Sequence, residues 1–175
     1  MFEHFLQTVG IESDRKVNSV DDFFTLVDGA TFYNGLYRIF ASGEIDKWTG
    51  IVEEAFPKAK GKIRIFGYDW LGRVFALNVA GGNVVMLEPG TGQIFSVPDD
   101  IEDFHEYDVA EDSDDVLAGA FYRSWLEQND NYELKHDECV GYKVPLFMGG
   151  KDNVENLEAG DMEVYWEILS PLMKL

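Results

Sequence analysis

The chain has 175 residues, of which 46% are hydrophobic and 14% aromatic, and a chain of this size and composition buries a core of its own. Its formal net charge is −19, and such a field repels nucleic acids and anionic lipid headgroups while it attracts basic partners. The charge therefore argues against direct binding to nucleic acid or membrane. No apolar run in the sequence approaches the roughly 20 residues that span a bilayer.

The cysteine content and the N-terminus predict the compartment. Cys139 is the only cysteine and cannot form a disulfide within the chain. The first residues, MFEHFLQTVG, lack the basic and long apolar regions of a secretory signal. Because structural disulfides and signal peptides mark exported proteins, this sequence predicts a cytoplasmic protein.

Three helices are predicted in the first third of the chain. Apolar residues recur at helical spacing over residues 2–9. A second helix is predicted over residues 20–27, with Ser19 as its N-cap. A third is predicted over residues 42–56, because Ser42 can open it and Pro57 ends it.

Strands are predicted where the apolar residues begin to recur at every second position. Between residues 62 and 98 the runs KIRIF, RVFALN, NVVMLE and QIFSVP are separated by turn residues. A further strand, in GLYRIF, follows a turn at Asn34-Gly35. Consecutive strands with short turns predict an antiparallel meander of about 4–6 strands, with the middle strands covered on both faces.

The negative charge is concentrated after the predicted meander. Residues 1–98 contain 12 acidic and 9 basic residues, a net charge of −3, whereas residues 99–175 contain 21 acidic and 5 basic residues, a net charge of −16. Residues 99–115 read DDIEDFHEYDVAEDSDD and contain ten acidic residues and no Lys or Arg. We call residues 99–115 the acidic segment.

The rest of the chain completes the predicted fold. A helix is predicted near residues 113–128, because its apolar residues form one stripe and acidic residues occupy its first turn. A final strand is predicted in DMEVYWEIL, with Met162, Val164 and Trp166 on one side. The predicted fold class is α+β: one compact domain with a central antiparallel meander, flanked by N-terminal helices and the helix near 113–128.

Catalysis through Cys139 is one enzymatic alternative, and a pair of carboxylates is another, although none of the many pairs among 33 acidic residues can be singled out. His136 lies three residues before Cys139, but Asp137 and Glu138 would raise the pKa of the thiol, which opposes activation. A small buried thiol is the favoured interpretation. The motifs G-x-S-x-G, H-E-x-x-H and C-x-x-C do not occur, so an enzyme is not predicted.

Two further motifs are interpreted as structural. The run GGKDN lacks the Walker spacing, because Asp152 stands where a hydroxyl residue should be, and it is interpreted as a glycine turn closed by Asp152 and Asn153. The three histidines are scattered, and the acidic segment lacks the glycine-containing loop of an EF-hand. Neither a metal nor a cofactor is therefore expected.

The acidic segment has two possible interpretations. Charge clusters are usually solvated loops and helix starts. Aromatic residues among the acids, however, are typical of a protein interface. On the second interpretation, the residues predicted to contact a partner are Asp99, Asp100, Asp103, Phe104, Glu106, Tyr107, Asp108 and Asp112.

Several motifs together resemble one bacterial family. They are GLYRIF, FGYDWLGR, EPGTG, CVGYKVPLFMGGKDNVENLE and DMEVYW, and they resemble the family with a GAD-like N-terminal region and a type VI secretion immunity C-terminal region. The resemblance runs from about Gly35 to Trp166. We call residues 139–158 the C-terminal motif. The residues that the resemblance assigns to the structural framework are Trp70, Gly72, Cys139, Gly141, Tyr142, Pro145, Phe147, Gly149, Gly150 and Trp166.

The resemblance implies a division of the chain and a role. Residues 1–98 correspond to the GAD-like region and residues 99–175 to the immunity region, and the lack of a linker between them predicts one structural unit. The implied role is a cytoplasmic immunity protein that neutralises a cognate secreted toxin with a basic surface, typically a nuclease. The plan of helices followed by a meander is also similar to SMI1/KNR4-like immunity proteins. A regulatory adaptor of that type is the alternative.

Overall fold

A computed structural model describes residues 1–12 and 16–174, and its centre is a six-stranded antiparallel sheet. The strands are ordered as they occur in the chain: β1 (Thr31–Phe32), β2 (Tyr37–Ile39), β3 (Ile63–Asp69), β4 (Val74–Asn78), β5 (Val84–Glu88) and β6 (Gln93–Ser96). The predicted meander is confirmed. The runs of alternating and apolar residues form its strands, and turn residues such as Gly72, Gly82 and Gly92 adopt positive φ between them.

Within the residues that the structure describes, seven helices accompany this sheet. They are α1 (Glu3–Thr8), α2 (Val20–Leu26), α3 (Ile45–Ala55), α4 (Ile101–Asp103), α5 (Ser113–Val116), α6 (Gly119–Gln128) and α7 (Met162–Leu172). The predicted cap of α2 is confirmed, because the Ser19 hydroxyl accepts the N–H of Asp22 at 3.1 Å. Ser42 instead begins a 3₁₀ turn, Ser42–Glu44, that leads into α3.

Two predicted elements differ in the structure. The single helix near 113–128 is broken between α5 and α6, where Ala118 adopts a left-handed conformation with φ of 52°. The final strand predicted in DMEVYWEIL is wrong, because residues 162–172 form α7. Asp161 caps this helix by accepting the N–H of Val164 at 2.9 Å, and Met162, Trp166 and Leu169 bury one helical face.

The C-terminal motif lies in a second, smaller sheet. Strand β7 (Glu138–Tyr142) pairs antiparallel with β8 (Leu157–Asp161), so that Cys139 lies opposite Gly160 and Gly141 opposite Glu158. The N–H of Val140 also donates to the carbonyl of Trp70 at 2.6 Å. This bond joins the small sheet to the turn between β3 and β4.

The core consists of two clusters, one on each face of the large sheet. The first contains α1, α2 and residues of the acidic segment, and the second contains α3 and α7. Both clusters draw residues from positions before and after residue 98: Phe104 and Val140 belong to the first, and Cys139 and Trp166 to the second. The two sequence regions therefore share their hydrophobic core.

No helix within residues 1–12 and 16–174 is long and apolar enough to cross a membrane. The longest helices, α3 and α7, each have 11 residues. Both bury one face against the large sheet, so they are amphipathic helices of a globular core.

Candidate partner-binding surface

The acidic segment is folded rather than extended. Asp100 caps α4, since its Oδ1 accepts the N–H groups of Glu102 at 2.9 Å and Asp103 at 3.0 Å. The helix then continues as a π-helical turn over Phe104–Val109. The sequence did not predict this helical stretch, whose wider turn places two consecutive aromatic residues on the inner side.

His105 holds the inner side of the acidic segment in the core. It is fully buried, and its Nδ1 donates to the carbonyl of Ile101 at 2.7 Å, so its Nε2 accepts from the hydroxyl of Tyr37 at 2.9 Å. Burial lowers the pKa of His105 to about 4, although the bond to Ile101 opposes this shift. The imidazole is therefore neutral at pH 7 and surrounded by aromatic rings, including those of Phe2 and Phe23.

The position of Phe104 corrects one predicted contact. Its side chain has no solvent exposure and packs against Phe66 and Phe75 in the first cluster. A partner cannot reach it in this structure, so the residue is a core anchor. Tyr107, by contrast, is 58% exposed and is the aromatic side chain that the acidic segment presents outward.

One row of the acidic segment faces α1 and serves the fold. Glu106 accepts the N–H of Phe5 at 3.0 Å, and Glu111 lies 3.1 Å from Nε2 of His4. Glu106 thus satisfies a backbone N–H in the first turn of α1, which has no partner within the helix, and Glu111 makes a surface contact with the same helix. Glu106, although it was predicted to contact a partner, is thus already bonded within the chain.

A second row of carboxylates, Asp99, Asp108, Asp112 and Asp115, makes no ion pair with another described residue. Burial, together with the neighbouring carboxylates of Asp99, Asp112 and Asp115, raises the pKa of Asp108 to about 6. One carboxylate oxygen of Asp108, Oδ2, is buried without a hydrogen-bond partner among the described residues. Because like charges crowd this site, a cation placed beside it gains more than it would beside an isolated carboxylate.

The remaining predicted contacts lie on the surface. Asp100, Asp103 and Asp112 are exposed, and Asp99 is half-buried. Within the part of the chain that the structure describes, no group of three or more His, Cys, Asp or Glu residues is arranged to hold a metal ion. The chemistry that this surface offers is attraction of a basic protein surface.

Both ends of the acidic segment are fixed to the large sheet. At one end the carbonyl of Asp99 accepts the N–H of Val84 at 2.9 Å. Just beyond the other end, Trp70 Nε1 donates to the carbonyl of Leu117 at 2.9 Å, and Arg73 Nη2 donates to that of Val116 at 3.1 Å. The surface is therefore held in one orientation by buried donors.

The buried ion pair in FGYDWLGR was missed at the sequence level. Asp69 has no exposure, and its Oδ2 accepts from Nε of Arg73 at 2.6 Å while its Oδ1 accepts two backbone N–H groups. The pair positions the guanidinium that holds Val116. The i, i+4 spacing of the acid and base was visible, but only the turn between β3 and β4 makes it a buried contact.

Arg38 is a second buried cation that the sequence did not single out. It is 1% exposed, and it donates to the carbonyls of Glu138 at 3.0 Å and Leu134 at 2.9 Å. These bonds hold Leu134 and the first residue of β7 against β2. Its guanidinium also lies 5.8 Å from the ring centre of Tyr68.

Cys139 has the properties of a packing residue. It is 1% exposed, and burial, followed by the charge of Asp69, raises the pKa of its thiol well above the ordinary value. His136 does not contact it: the imidazole Nε2 lies 3.0 Å from Glu44, and its Nδ1 lies 3.4 Å from the hydroxyl of Tyr68. The sulfur instead lies where a side chain on Gly72 would be, 3.0 Å from that Cβ position.

The glycines of the C-terminal motif allow close packing. A Cβ on Gly141 would lie 2.5 Å from Cε2 of Tyr165, and a Cβ on Gly150 would overlap the carbonyl oxygen of Val144. Gly149 has a φ of 87°. The N–H groups of Gly149 and Gly150 donate to the carbonyls of Leu146 and Pro145, so they are not free to bind phosphate.

The aromatic residues assigned to the framework are buried with one exception. Trp70 and Trp166 have no exposure, and Trp166 Nε1 donates to the carbonyl of Gly72 at 2.9 Å. Tyr142 is buried and its hydroxyl donates to Asp152 at 2.7 Å. Pro145 is buried, whereas the side chain of Phe147 is 36% exposed, so its place in the framework stays a prediction.

Comparisons with known proteins bear on both the fold and the role. Over nearly its whole length the chain is similar to the crystal structure of Atu4351 from Agrobacterium tumefaciens, with a TM-score of 0.65 and 14% identity, covering 97% of this chain and 88% of that one. At this identity the likeness shows the fold alone. No curated protein matches the chain. Residues 100–173 match the family described as T6SS immunity protein Tdi1, C-terminal, and this match supports a type VI secretion immunity protein.

Proposed function

We propose that the protein protects its cell by binding a cognate toxin, and that the toxin is a nuclease whose basic active-site face is covered by the acidic segment. The observation that carries the proposal is the row of crowded carboxylates around Asp108, which lies next to the exposed Tyr107 on a segment fixed at both ends. The match of residues 100–173 to immunity proteins supports the toxin as partner and favours binding over catalysis. We propose the cytoplasm as the place of the encounter.

The charge of the surface fits such a target. A nuclease must hold phosphate, so its active-site cleft is cationic, and a surface from a region with a net charge of −16 accelerates association with it by electrostatic steering. The same charge competes with nucleic acid for the cleft. Most of the affinity then comes from a few desolvated contacts, for which Tyr107 is the exposed aromatic candidate.

The experiment that tests the proposal begins with co-purification. The protein is expressed with the product of the gene next to its own, and that product is assayed for nuclease activity with and without the protein. Formation of a complex that removes the activity supports the proposal. A neighbouring product that shows no binding, or that binds while its nuclease activity is retained, contradicts it.

Charge reversal then tests the role of the acidic segment. The variant Asp103→Lys, Asp112→Lys and Asp115→Lys changes three exposed acids of this surface, and we expect the association rate to fall at least about tenfold at low salt. The control Glu54→Lys, Glu127→Lys and Glu167→Lys changes the net charge equally at exposed positions elsewhere. Equal losses in both variants would remove the acidic segment from the mechanism.

A further inference from the structure

The outer edge of the large sheet at β6 is unprotected. All four residues of β6, Gln93–Ser96, are exposed, and none of them is charged or a proline. Sheet edges are normally blocked by Lys, Pro, bulges or very short strands. The opposite edge follows this rule, because β1 has only two residues.

The hydrogen-bonding groups of this edge can be assigned from the register. Val97 donates to the carbonyl of Val84 at 2.9 Å, and β5 and β6 pair Met86 with Phe95. Because the bonding direction alternates along an antiparallel strand, Phe95 faces β5, whereas the N–H and C=O groups of Ile94 and Ser96 face outward. Outside the strand ladders, no main-chain bond of the described residues involves either of these two.

The two faces beside this edge differ in chemistry. Phe95 shares the face of Met86, which packs against the first cluster, and the acidic segment covers that face. Ile94 shares the face of Leu87, which lies in the second cluster with α7. Ile94 and Phe95 are 41% and 38% exposed.

Apolar surface continues beyond Ile94 on the α7 side. The N–H of Phe147 points to the carbonyl of Gly90 at 3.4 Å, and the side chains of Phe147 and Met173 both lie within 4 Å of the Cβ position of Gly92, at the turn between β5 and β6. Met148, next to Phe147, is 56% exposed. A strand added at β6 therefore has an apolar neighbourhood on one face and an acidic one on the other.

We propose that the toxin docks by adding a strand to β6, and that this strand alternates basic and apolar side chains. Successive side chains of a strand point to opposite faces, so its basic residues face the acidic segment while its apolar residues face Ile94 and Phe147. Main-chain bonds to Ile94 and Ser96 then supply the register, as in other cases of strand addition. The inference rests on the proposed function for the identity of the partner.

A second copy of the chain is the competing occupant of the edge, and charge argues against it. Each copy has a net charge of −19, and pairing β6 with β6 would bring two acidic segments together. Like charges at an interface oppose association. A basic strand removes this repulsion and also supplies a counter-charge to the row around Asp108, which makes no ion pair among the described residues.

The edge is first tested with a defined probe. A short peptide that alternates lysine and valine is added, and amide hydrogen exchange is followed by NMR. At saturation we expect exchange at Ile94 and Ser96 to slow at least about tenfold, with little change for a peptide of the same composition in which lysines and valines form two blocks. Equal effects of the two peptides, or no protection at these amides, would overturn strand addition.

The toxin complex is tested with an edge variant. Ile94→Lys places a charge on the apolar side of the edge, and we expect the toxin to dissociate at least about tenfold faster. Val79→Lys is the matched control, because Val79 is 65% exposed in the turn after β4. Melting temperatures of both variants check that they fold, and the exchange experiment on the unaltered chain needs no variant.

The outcomes separate this inference from the proposed function. If the toxin is inhibited equally by the unaltered chain and by Ile94→Lys, strand addition is wrong and the immunity role stands. If the alternating peptide protects the edge but no toxin co-purifies, the immunity role fails and β6 is a peptide-binding edge. A dimer in solution that Ile94→Lys dissociates would identify a second copy as the occupant and overturn the inference.

Discussion

The acidic segment and the C-terminal motif use opposite means to reach a fixed structure. The acidic segment inserts Phe104 and His105 into the core and leaves most of its carboxylates outside. The C-terminal motif is closely packed at Gly141 and Gly150, where any side chain would collide with Tyr165 or Val144. The comparison teaches that the motif constrains residue identity through packing, whereas the outer positions of the acidic segment, apart from Asp100 and Glu106, constrain mainly charge. The four predictions that follow test this difference, beginning with the largest expected effect.

Substitution of Gly141 should break the C-terminal motif. In Gly141→Ala the new Cβ lies 2.5 Å from the ring of Tyr165, so the ring or β7 must move, and we expect the free energy of unfolding to fall by about 3 kcal/mol. Gly160→Ala, in the paired strand β8, is the control because nothing lies within 4 Å of its Cβ position. Chemical denaturation of the two variants measures the difference, and similar losses would contradict the packing argument.

Protonation of His105 should make the folded protein less stable at acid pH. Its pKa is about 4 in the folded protein and about 6.5 in an unfolded chain, so the unfolded state binds the additional proton between these values. Stability is therefore lost as the pH falls from 6.5 to 4, by at most about 3 kcal/mol. Unfolding measured across this range checks the sign. In His105→Gln this part of the pH dependence should disappear, and a slope equal to that of the unaltered chain would contradict the assignment.

Replacement of the only thiol should have a modest effect. Cys139→Ser puts a hydroxyl into a fully buried apolar site, and we expect a loss of about 1 kcal/mol in the free energy of unfolding. Protection of cells against the toxin should persist. A folded Cys139→Ser protein that no longer protects would favour the enzymatic alternative instead.

The smallest effect is expected at Asp108, and its sign is opposite to that of His105. Its pKa is raised to about 6 in the folded protein, so the folded state holds the extra proton and the associated stability is lost as the pH rises towards 6. Asp108→Asn should therefore be more stable than the unaltered chain at pH 7, by less than about 1 kcal/mol because the group is partly solvated. It should also bind the toxin more slowly. Equal stability of the two proteins at pH 7 would contradict the crowding of carboxylates.

The large sheet could be predicted from the sequence, and the C-terminal helix could not. Clear turn residues separate the strands of the meander, so the two-residue period of the apolar side chains and the positions of the turns predict the same strands. In DMEVYWEIL the residues Met162, Val164 and Trp166 fit a strand, while Met162, Trp166 and Leu169 fit a helix equally well. Asp161 decides between them as an N-cap, and that signal was present in the sequence.

The sequence predicted the charge of the candidate surface but not its geometry. The charges of the acidic segment indicated a basic partner. The adjacent positions of Phe104 and His105 did not predict the π-helical turn that buries both side chains. The apolar positions Ile101, Phe104 and Val109 with the cap Asp100 were the available helical signal. The edge at β6 depends on strand order, which the sequence predicted as a meander without indicating which edge remains open.

The attachment of the acidic segment at both ends has a consequence for how such proteins diversify. Its main chain is held through Asp99 at one side and through the carbonyls of Val116 and Leu117 at the other, and none of these bonds depends on an outward side chain of the segment. Mutation can therefore exchange the outward residues other than Asp100 and Glu106 one at a time without changing the fold of the segment. A duplicated gene can in this way acquire a new target through a few surface changes, while the buried donors Trp70 and Arg73 stay as they are.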